Sequence, residues 1–181
     1  PTIFLICISI HKNMRSNYKR VFLIALLFFS VKINAQNIDI NLLKPINKNE
    51  TSFKNDYLEL CASSVTITSI ALPVSVFTAG LIKHDKKMQK DAAYIAGGWI
   101  TSAIITQATK RVLDRKRPFE EYAFIIKRDD ESGGRSFPSG HTSSAFSTAT
   151  SLSLYYPKWY VIAPAYLYAA SVGWARMYQG V

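Results

Sequence analysis

The sequence contains few of the residues that form disulfides or bind metals. Its two cysteines, Cys7 and Cys61, are far apart, and its three histidines show neither an HExxH motif nor the paired spacing of zinc ligands. The acidic run at residues 129–131 is explained as well by a solvated loop as by a site for a hard cation. We therefore expect no disulfide framework, no metal centre and no cofactor.

Acidic residues are also scarce: 12 Asp and Glu stand against 22 Lys and Arg, which gives a formal charge of +10. Such an excess indicates nucleic acid, an anionic membrane surface or an anionic substrate as partner. A duplex-binding protein would carry a distributed basic stripe and a reading element, and neither is visible, so we expect no nucleic acid. A length of 181 residues suggests one domain.

The N-terminal region has the pattern of a secretory signal. A basic segment after Met14 is followed by an apolar stretch at 21–29 and a small-residue end that suits cleavage. We predict an upstream extension over residues 1–13, a signal peptide over 14–35 and the functional domain over 36–181. The apolar stretch is short for a membrane span. The alternative makes it a permanent first membrane helix, and both versions export the rest of the chain.

Charge-free stretches predict an all-α bundle that is embedded in a membrane. Residues 61–82 carry no charge over a length sufficient to span a bilayer, and Pro73 is tolerated there if neighbouring helices satisfy the freed carbonyl. The alternative is a buried helix of a soluble bundle. Three more helices and two loops are expected, the helices at 92–113, 141–156 and 159–177 and the loops at 36–56, with at most one short helix, and at 118–138.

Two further patterns bear on how these helices are arranged. Ala93, Gly97 and Thr101 recur at i, i+4, which predicts a stripe of small residues where a second helix approaches closely. The lysine-rich connector at 83–90 suits the cytoplasmic side. The end of helix 92–113, the start of helix 141–156 and the end of helix 159–177 then meet on the outer face.

That outer face collects the residues able to bind an anion. Lys110 and Arg117 are seven residues apart, so both would project along one face of a helix that ends before Pro118. By itself, this pattern is equally typical of a basic helix end that complements the macrodipole. Arg176, near the end of the last helix, returns to the same face.

The turn Ser139-Gly140-His141 leads into a helix on this face. Backbone N–H groups at a helix start bind anions, and Ser139 would add a hydroxyl donor. Gly140 lets a ligand approach the backbone, and the imidazole of His141 can transfer a proton near neutral pH. The alternative is an ordinary N-cap by Ser139 beside an exposed histidine. Three cations and a helix N-terminus at one point predict a phosphate site.

These residues resemble a known family. K-x6-R-P, then P-S-G-H, then an arginine about 35 residues later is similar to the type-two phosphatidic acid phosphatase superfamily, which includes bacterial non-specific acid phosphatases and vanadium haloperoxidases. The resemblance covers roughly residues 90–181. In the third motif, S-R-x5-H-x3-D, Ala175 replaces the serine and Arg176 matches. The histidine of that motif would be the residue after Val181, so we expect the chain to be truncated and inactive by itself.

The resemblance implies roles for the six site residues. Lys110, Arg117 and Arg176 would bind the phosphoryl oxygens, and Ser139 and the Gly140 N–H would complete the cradle. His141 would be the general acid. The histidine beyond Val181 would form a phosphohistidine, held by an aspartate four residues further on, with no metal required.

The family contains several activities, which the sequence leaves open. Long uncharged helices favour an integral phosphatase that acts on a lipid phosphate or pyrophosphate at the periplasmic side of a bacterial inner membrane. The alternatives are a soluble periplasmic acid phosphatase of broad specificity, a haloperoxidase, and a non-catalytic phosphate-binding membrane protein. The particular lipid and the oligomeric state are not predicted.

Overall fold

The computed structural model describes residues 35–48, 52–129 and 134–181, and in these ranges it is helical without strands. The predicted extension and all but the last residue of the predicted signal peptide lie outside the described residues. The all-α prediction is confirmed. The described helices are α1 (Ala35–Lys48), α2 (Ser52–Ile82), α3 (Lys86–Leu113), α4 (Pro118–Glu121), α5 (Gly140–Tyr155) and α6 (Trp159–Tyr178).

The N-terminal segment is more helical than the sequence suggested. α1 has 14 residues, where a loop with at most a short helix was predicted, and α2 begins nine residues before the expected start. Within α1, Leu43 and Ile46 are half-buried and Asn47 is buried, which is the spacing of a helix with one face against the bundle. The contacts that bury this face come from distant parts of the chain.

The connector between α2 and α3 is shorter than predicted. A connector was predicted at 83–90, but α3 already begins at Lys86. Asp85 is its N-cap and accepts hydrogen bonds from the N–H groups of Lys87 (2.8 Å) and Met88 (3.2 Å). His84 turns the chain with φ of 52°. Lys87 Nζ then lies 2.6 Å from the Asp91 carboxylate, so part of the lysine-rich segment belongs to the first turns of α3.

Small side chains form the centre of the bundle. α2 packs against α3, α5 and α6, while α5 lies between α3 and α6. Ala169, Val172 and Ala175 of α6 are completely buried against Ala145 and Ala149 of α5. Such short side chains let helices with few large core residues pack closely.

The close approach of α3 and α5 occurs at Gly98. A Cβ at Gly98 would lie 2.5 Å from Ser151 Oγ, and Ser147 Oγ donates to the Gly98 carbonyl at 3.0 Å. Of the predicted stripe of Ala93, Gly97 and Thr101, Gly97 makes no close contact with another described helix, because a Cβ there would meet nothing within 4 Å.

Large apolar side chains point outward. Within the described ranges, the segment Lys54–Ile82 is the helix that is long and apolar enough to cross a membrane, with a mean hydropathy of 1.9 over a window that is 22% buried. α3 and α6, which were also expected to cross, do not meet that criterion. Both nevertheless expose large apolar residues, including Ile104 and Leu167.

Candidate active site

One cavity brings all six predicted site residues together. It has a volume of about 230 Å³ and lies where α2, α3 and α6 meet the start of α5. The predicted residues that line it are Lys110, Arg117, Ser139, Gly140, His141 and Arg176. The helix order derived from the sequence therefore predicted that these elements meet. The prediction that Lys110 and Arg117 share a helix face was wrong.

Lys110 and Arg117 do not share a helix face. α3 ends at Leu113 because Asp114 adopts a left-handed conformation (φ 44°) and donates its N–H to the Lys110 carbonyl at 3.0 Å. Arg117 lies in an extended segment (φ −77°, ψ 150°) immediately before Pro118. The turn between them brings the two cations to one cavity.

Arg117 is held in place, yet part of its guanidinium lacks a partner. Its side chain is 9% exposed, Nε donates to the Gly134 carbonyl at 3.2 Å, and its backbone N–H donates to Glu120 Oε2 at 3.1 Å. Nη1 is buried and finds no hydrogen-bond partner among the described residues. An unsatisfied buried donor on a charged group is unfavourable unless a ligand completes it. The cavity that Arg117 lines is therefore suited to an anion.

The start of α5 forms a second wall of the cavity. Ser139 is the N-cap, and its Oγ accepts from Thr142 N–H at 3.3 Å and from Thr142 Oγ1 at 3.0 Å. A hydroxyl has two acceptor positions and one donor, so this cap is compatible with donation to a ligand. A Cβ at Gly140 would lie 4.0 Å from Lys110 Nζ, which places the ammonium beside the positive end of the helix. His141 is half-buried on the cavity wall.

Arg176 is fixed by two acceptors. It is 8% exposed, and its Nη1 donates to Asp129 Oδ2 at 2.9 Å and to Gln179 Oε1 at 3.0 Å. Asp129 belongs to the acidic run that was interpreted as a solvated loop, and that interpretation was wrong for this residue, whose side chain is 15% exposed. The carboxylate holds a buried cation at the edge of the cavity, where a lone charge would be strongly disfavoured.

Sequence reasoning missed two cavity residues in the segment before the Ser139 turn. Arg135 and Ser136 both line the cavity. Arg135 Nε pairs with Asp114 at 2.5 Å, while Ser136 Oγ donates to the Lys116 carbonyl at 2.7 Å. This segment is thereby fastened to the turn that follows α3. In the sequence, the only indication of this role was that Arg135, a cation, directly precedes Ser136, a hydroxyl donor, close to the Ser139 turn.

The far end of α6 is organised by residues that carry no recognisable motif. Asn47 of α1 is 1% exposed; its Nδ2 donates to the carbonyls of Ile126 (2.8 Å) and Tyr178 (2.9 Å), and its Oδ1 accepts from Ile126 N–H (2.8 Å). Gly180 follows with φ of 74°, and a Cβ there would lie 2.7 Å from the Ile126 carbonyl oxygen. The turn leaves Val181 on the cavity wall.

The donor set favours an anion over a metal. No group of three His, Cys, Asp or Glu side chains able to hold a metal ion occurs in the part of the chain that the structure describes. The cavity presents three arginines, a lysine and the first turn of a helix, which together suit a tetrahedral oxyanion. Fold and site thus define an all-α protein with a cationic cavity suited to an oxyanion.

Comparison with known families agrees with that class. Residues 91–181 match the model of the PAP2 superfamily. The match covers half of the chain, and the chain belongs to this superfamily. Family membership together with the cationic cradle makes the protein a phosphoric-ester hydrolase.

Two solved structures share the fold. The crystal structure of Aquifex aeolicus LpxE has a TM-score of 0.68 and 23% identity, over 78% of this chain and 81% of that one. The crystal structure of a transmembrane PAP2 type phosphatidylglycerolphosphate phosphatase from Bacillus subtilis has a TM-score of 0.69 and 23% identity, over 90% and 82%. No curated protein matches the sequence.

Proposed function

We propose that the protein hydrolyses the phosphate monoester or pyrophosphate of a membrane lipid through a phosphohistidine intermediate. The observation that carries this proposal is the buried Nη1 of Arg117, which lacks a protein partner in a cavity shared with Lys110 and Arg176. A dianionic phosphoryl group supplies the acceptor that this guanidinium lacks.

In this proposal the site residues divide between binding and proton transfer. Lys110, Arg117 and Arg176 hold the non-bridging oxygens, and the Gly140 N–H and the Ser139 hydroxyl donate from the start of α5. These donors stabilise the charge that develops as the bond between phosphorus and the leaving oxygen breaks. His141, on the same wall, donates its proton to the leaving oxygen. Water then attacks the phosphohistidine and releases inorganic phosphate.

The proposed nucleophile is a histidine directly after Val181, with its aspartate four residues further on. Val181 lines the cavity, so the residue that follows begins at the cavity wall. The backbone of Val181 is fixed by a hydrogen bond from its N–H to the Arg176 carbonyl at 3.3 Å. A nucleophile at this point would face the phosphoryl group that Arg176 helps to hold.

We propose that the bundle lies in the inner membrane with this cavity at the periplasmic surface. The long apolar α2 supports this placement, as do the outward apolar side chains on α3 and α6. A soluble periplasmic phosphatase would present polar faces there. The Bacillus subtilis protein of the same fold is a phosphatidylglycerolphosphate phosphatase, which supports a lipid phosphate as substrate class.

The first experiment is to read the natural gene past the codon for Val181 and assay its full product. We expect a histidine codon next and an aspartate codon four positions later. The purified product should release phosphate from phosphatidate in detergent micelles, and base-stable, acid-labile phosphate should be trapped on the protein.

His141→Gln tests the general acid against a matched control. This change should lower kcat by about 10²–10⁴-fold. His84→Asn, in the connector outside the cavity, should leave kcat unchanged. Phosphate binding without turnover in the full product would instead support the non-catalytic alternative.

A further inference from the structure

A second cavity opens beside the candidate active site. Its volume is about 530 Å³, and its walls include Lys110, Arg117 and Arg135, which also line the first cavity. Arg115 and Lys116 line the second cavity alone, and both are exposed. We call the first cavity the phosphate cavity and the second cavity the outer recess. Because the two share three cationic side chains, a single ligand can occupy both.

The walls of the outer recess are fastened to each other by the fold. One wall is the turn after α3, and the facing wall comes from the segment before the Ser139 turn. Ser136 N–H donates to the Arg115 carbonyl at 2.9 Å, and Ser136 Oγ donates to the Lys116 carbonyl at 2.7 Å. The backbone that carries these two cations is therefore held before a ligand arrives, which lowers the entropic cost of binding.

Positive charge in the outer recess exceeds what its own carboxylates balance. Within the described residues, five lysine and arginine side chains line it against two carboxylates, those of Asp114 and Glu120. Both carboxylates are engaged, since Asp114 lies 2.5 Å from Arg135 Nε and Glu120 Oε2 accepts from the Arg117 N–H at 3.1 Å. The contact with Asp114 uses one of the five N–H donors of Arg135. The recess is therefore suited to an anion.

Two observations indicate that a ligand, and not the protein, completes this charge. Nη1 of Arg117, which lines both cavities, is buried and has no hydrogen-bond partner among the described residues. In the part of the chain that the structure describes, no salt bridge is made by the side chain of Arg115 or Lys116. An unsatisfied buried donor between two cationic cavities favours an anion that extends from one cavity to the other.

We propose that the outer recess binds a second phosphate group, carried by the leaving group of the substrate, while the phosphoryl group that is transferred lies in the phosphate cavity. Arg176 and Val181, next to the proposed nucleophile, line the phosphate cavity and not the recess. Since the attacking and leaving oxygens are roughly in line in phosphoryl transfer, the leaving group departs away from the nucleophile. The inference rests on the proposed phosphatase activity and adds a preference for substrates with two phosphates.

Two kinds of lipid carry such a pair of phosphates. In a diphosphate ester the two groups share a bridging oxygen, whereas in a phosphodiester headgroup with a terminal phosphate a short carbon chain separates them. Both present the same anionic oxygens to the guanidinium groups of Arg115 and Arg135. The length of the linker therefore distinguishes the two sources experimentally.

The double change Arg115→Gln/Lys116→Gln in the full gene product is the main test. It should lower kcat/KM for farnesyl diphosphate by about 10-fold or more, because charge-assisted contacts to the second phosphate are lost. For farnesyl monophosphate, kcat/KM should stay within about twofold, since the phosphate cavity is intact. The control Lys83→Gln/Lys86→Gln removes the same net charge at the other end of α3 and should change neither value.

A binding measurement requires no turnover and so separates this inference from the proposed activity. In isothermal titration calorimetry, methylenediphosphonate or propane-1,3-diphosphonate should bind at least about 10-fold more tightly than inorganic phosphate. Tighter binding of the methylene compound identifies a diphosphate ester, and tighter binding of the propane compound identifies a phosphodiester headgroup. Arg115→Gln/Lys116→Gln should remove the preference. A protein that hydrolyses no phosphate ester but shows the preference would contradict the activity alone.

Two outcomes overturn the inference. One is equal affinity of the unaltered protein for inorganic phosphate and both diphosphonates. The other is an equal loss of kcat/KM for both farnesyl substrates in Arg115→Gln/Lys116→Gln, since the two cations would then act on the transferred phosphoryl group alone. If the double variant does not fold, Lys116→Glu should weaken binding of the preferred diphosphonate more than that of phosphate, and an equal effect on both would likewise refute the second phosphate site.

Discussion

Arg117 combines charge, rigidity and an unfilled hydrogen-bond position in one side chain. Its Nε is bound to the Gly134 carbonyl, its backbone is tied to Glu120, and its buried Nη1 is left for a ligand. A flat guanidinium fixed at one edge can present two N–H groups to a phosphoryl oxygen pair, which a lysine cannot. A positive charge without this geometry is therefore expected to be insufficient for binding a phosphoryl group at position 117.

Arg117→Lys should lower kcat/KM about 10²–10³-fold while the protein remains folded, because the charge persists but the fixed fork is lost. Phosphate release by the full gene product, with circular dichroism as the folding check, measures this. Arg111→Lys on the exposed side of α3 is the control and should leave kcat/KM within about twofold. Equal effects of the two changes would indicate that net charge, and not geometry, governs binding.

The other predicted site residues show which features of the cavity could be predicted from local sequence patterns. Ser139, Gly140 and His141 were predicted from one short turn, and the structure places all three on the cavity wall, with Ser139 also serving as the N-cap of α5. The explanation for Lys110 and Arg117 failed because Asp114 ends α3 three residues before Arg117. Nothing in the local sequence distinguishes that left-handed aspartate from another helical residue.

The end of α6 illustrates how an element terminus depends on its surroundings. Gly180 adopts φ of 74°, and a Cβ there would overlap the Ile126 carbonyl. Gly97, inside α3, has open space around its missing Cβ. These two glycines therefore respond oppositely to the same substitution.

Gly180→Ala should destabilise the protein by about 1–3 kcal/mol, because it combines a left-handed backbone with a steric overlap. It should also impair turnover, since Val181 would move from the cavity wall. Gly97→Ala should be neutral or stabilise the protein by up to about 1 kcal/mol, since alanine favours a helix interior. Thermal unfolding in detergent measures both, and an unaltered midpoint in Gly180→Ala would contradict the role given to this turn.

At the level of elements, the sequence predicted which helices exist better than where they begin. The four long helices were expected from uncharged stretches. An N-cap by Ser139 at the start of α5 was given as an alternative interpretation of that turn. α1 was missed because its buried face is small and holds Asn47, a polar residue. The close approach of α3 and α5 occurs at Gly98, which the prediction of a small-residue stripe through Gly97 did not include.

Across the whole molecule, Asn47 connects regions that are distant in the chain. Its three hydrogen bonds join α1 to Ile126, 79 residues away, and to Tyr178, 131 residues away. The segment around Ile126 continues to Arg128, whose N–H donates to the Gln179 carbonyl at 3.1 Å. The connection therefore supports the same end of α6 that carries Arg176.

Asn47→Ala should destabilise the full protein by about 1–3 kcal/mol, because backbone groups of Ile126 and Tyr178 lose their partners. Since the end of α6 loosens, kcat should fall as well, even though Asn47 does not line the cavity. Asn41→Ala, at an exposed position of the same helix, is the control and should change neither quantity. A stable, fully active Asn47→Ala protein would show that these hydrogen bonds are dispensable for the site.

The sequence by itself determined the helical class and the residue types that line the cationic cavity. Uncharged stretches of sufficient length favour helices in any apolar environment, and Lys110, Arg117, the Ser139 turn and Arg176 are residue types suited to an anion. The tertiary structure decided how they meet. The left-handed turn at Asp114, the pairing of Arg176 with Asp129 and the support by Asn47 depend on contacts between residues far apart in sequence. Such contacts leave no periodic trace along the chain, because each is made by a single side chain whose partner is set only when the helices pack.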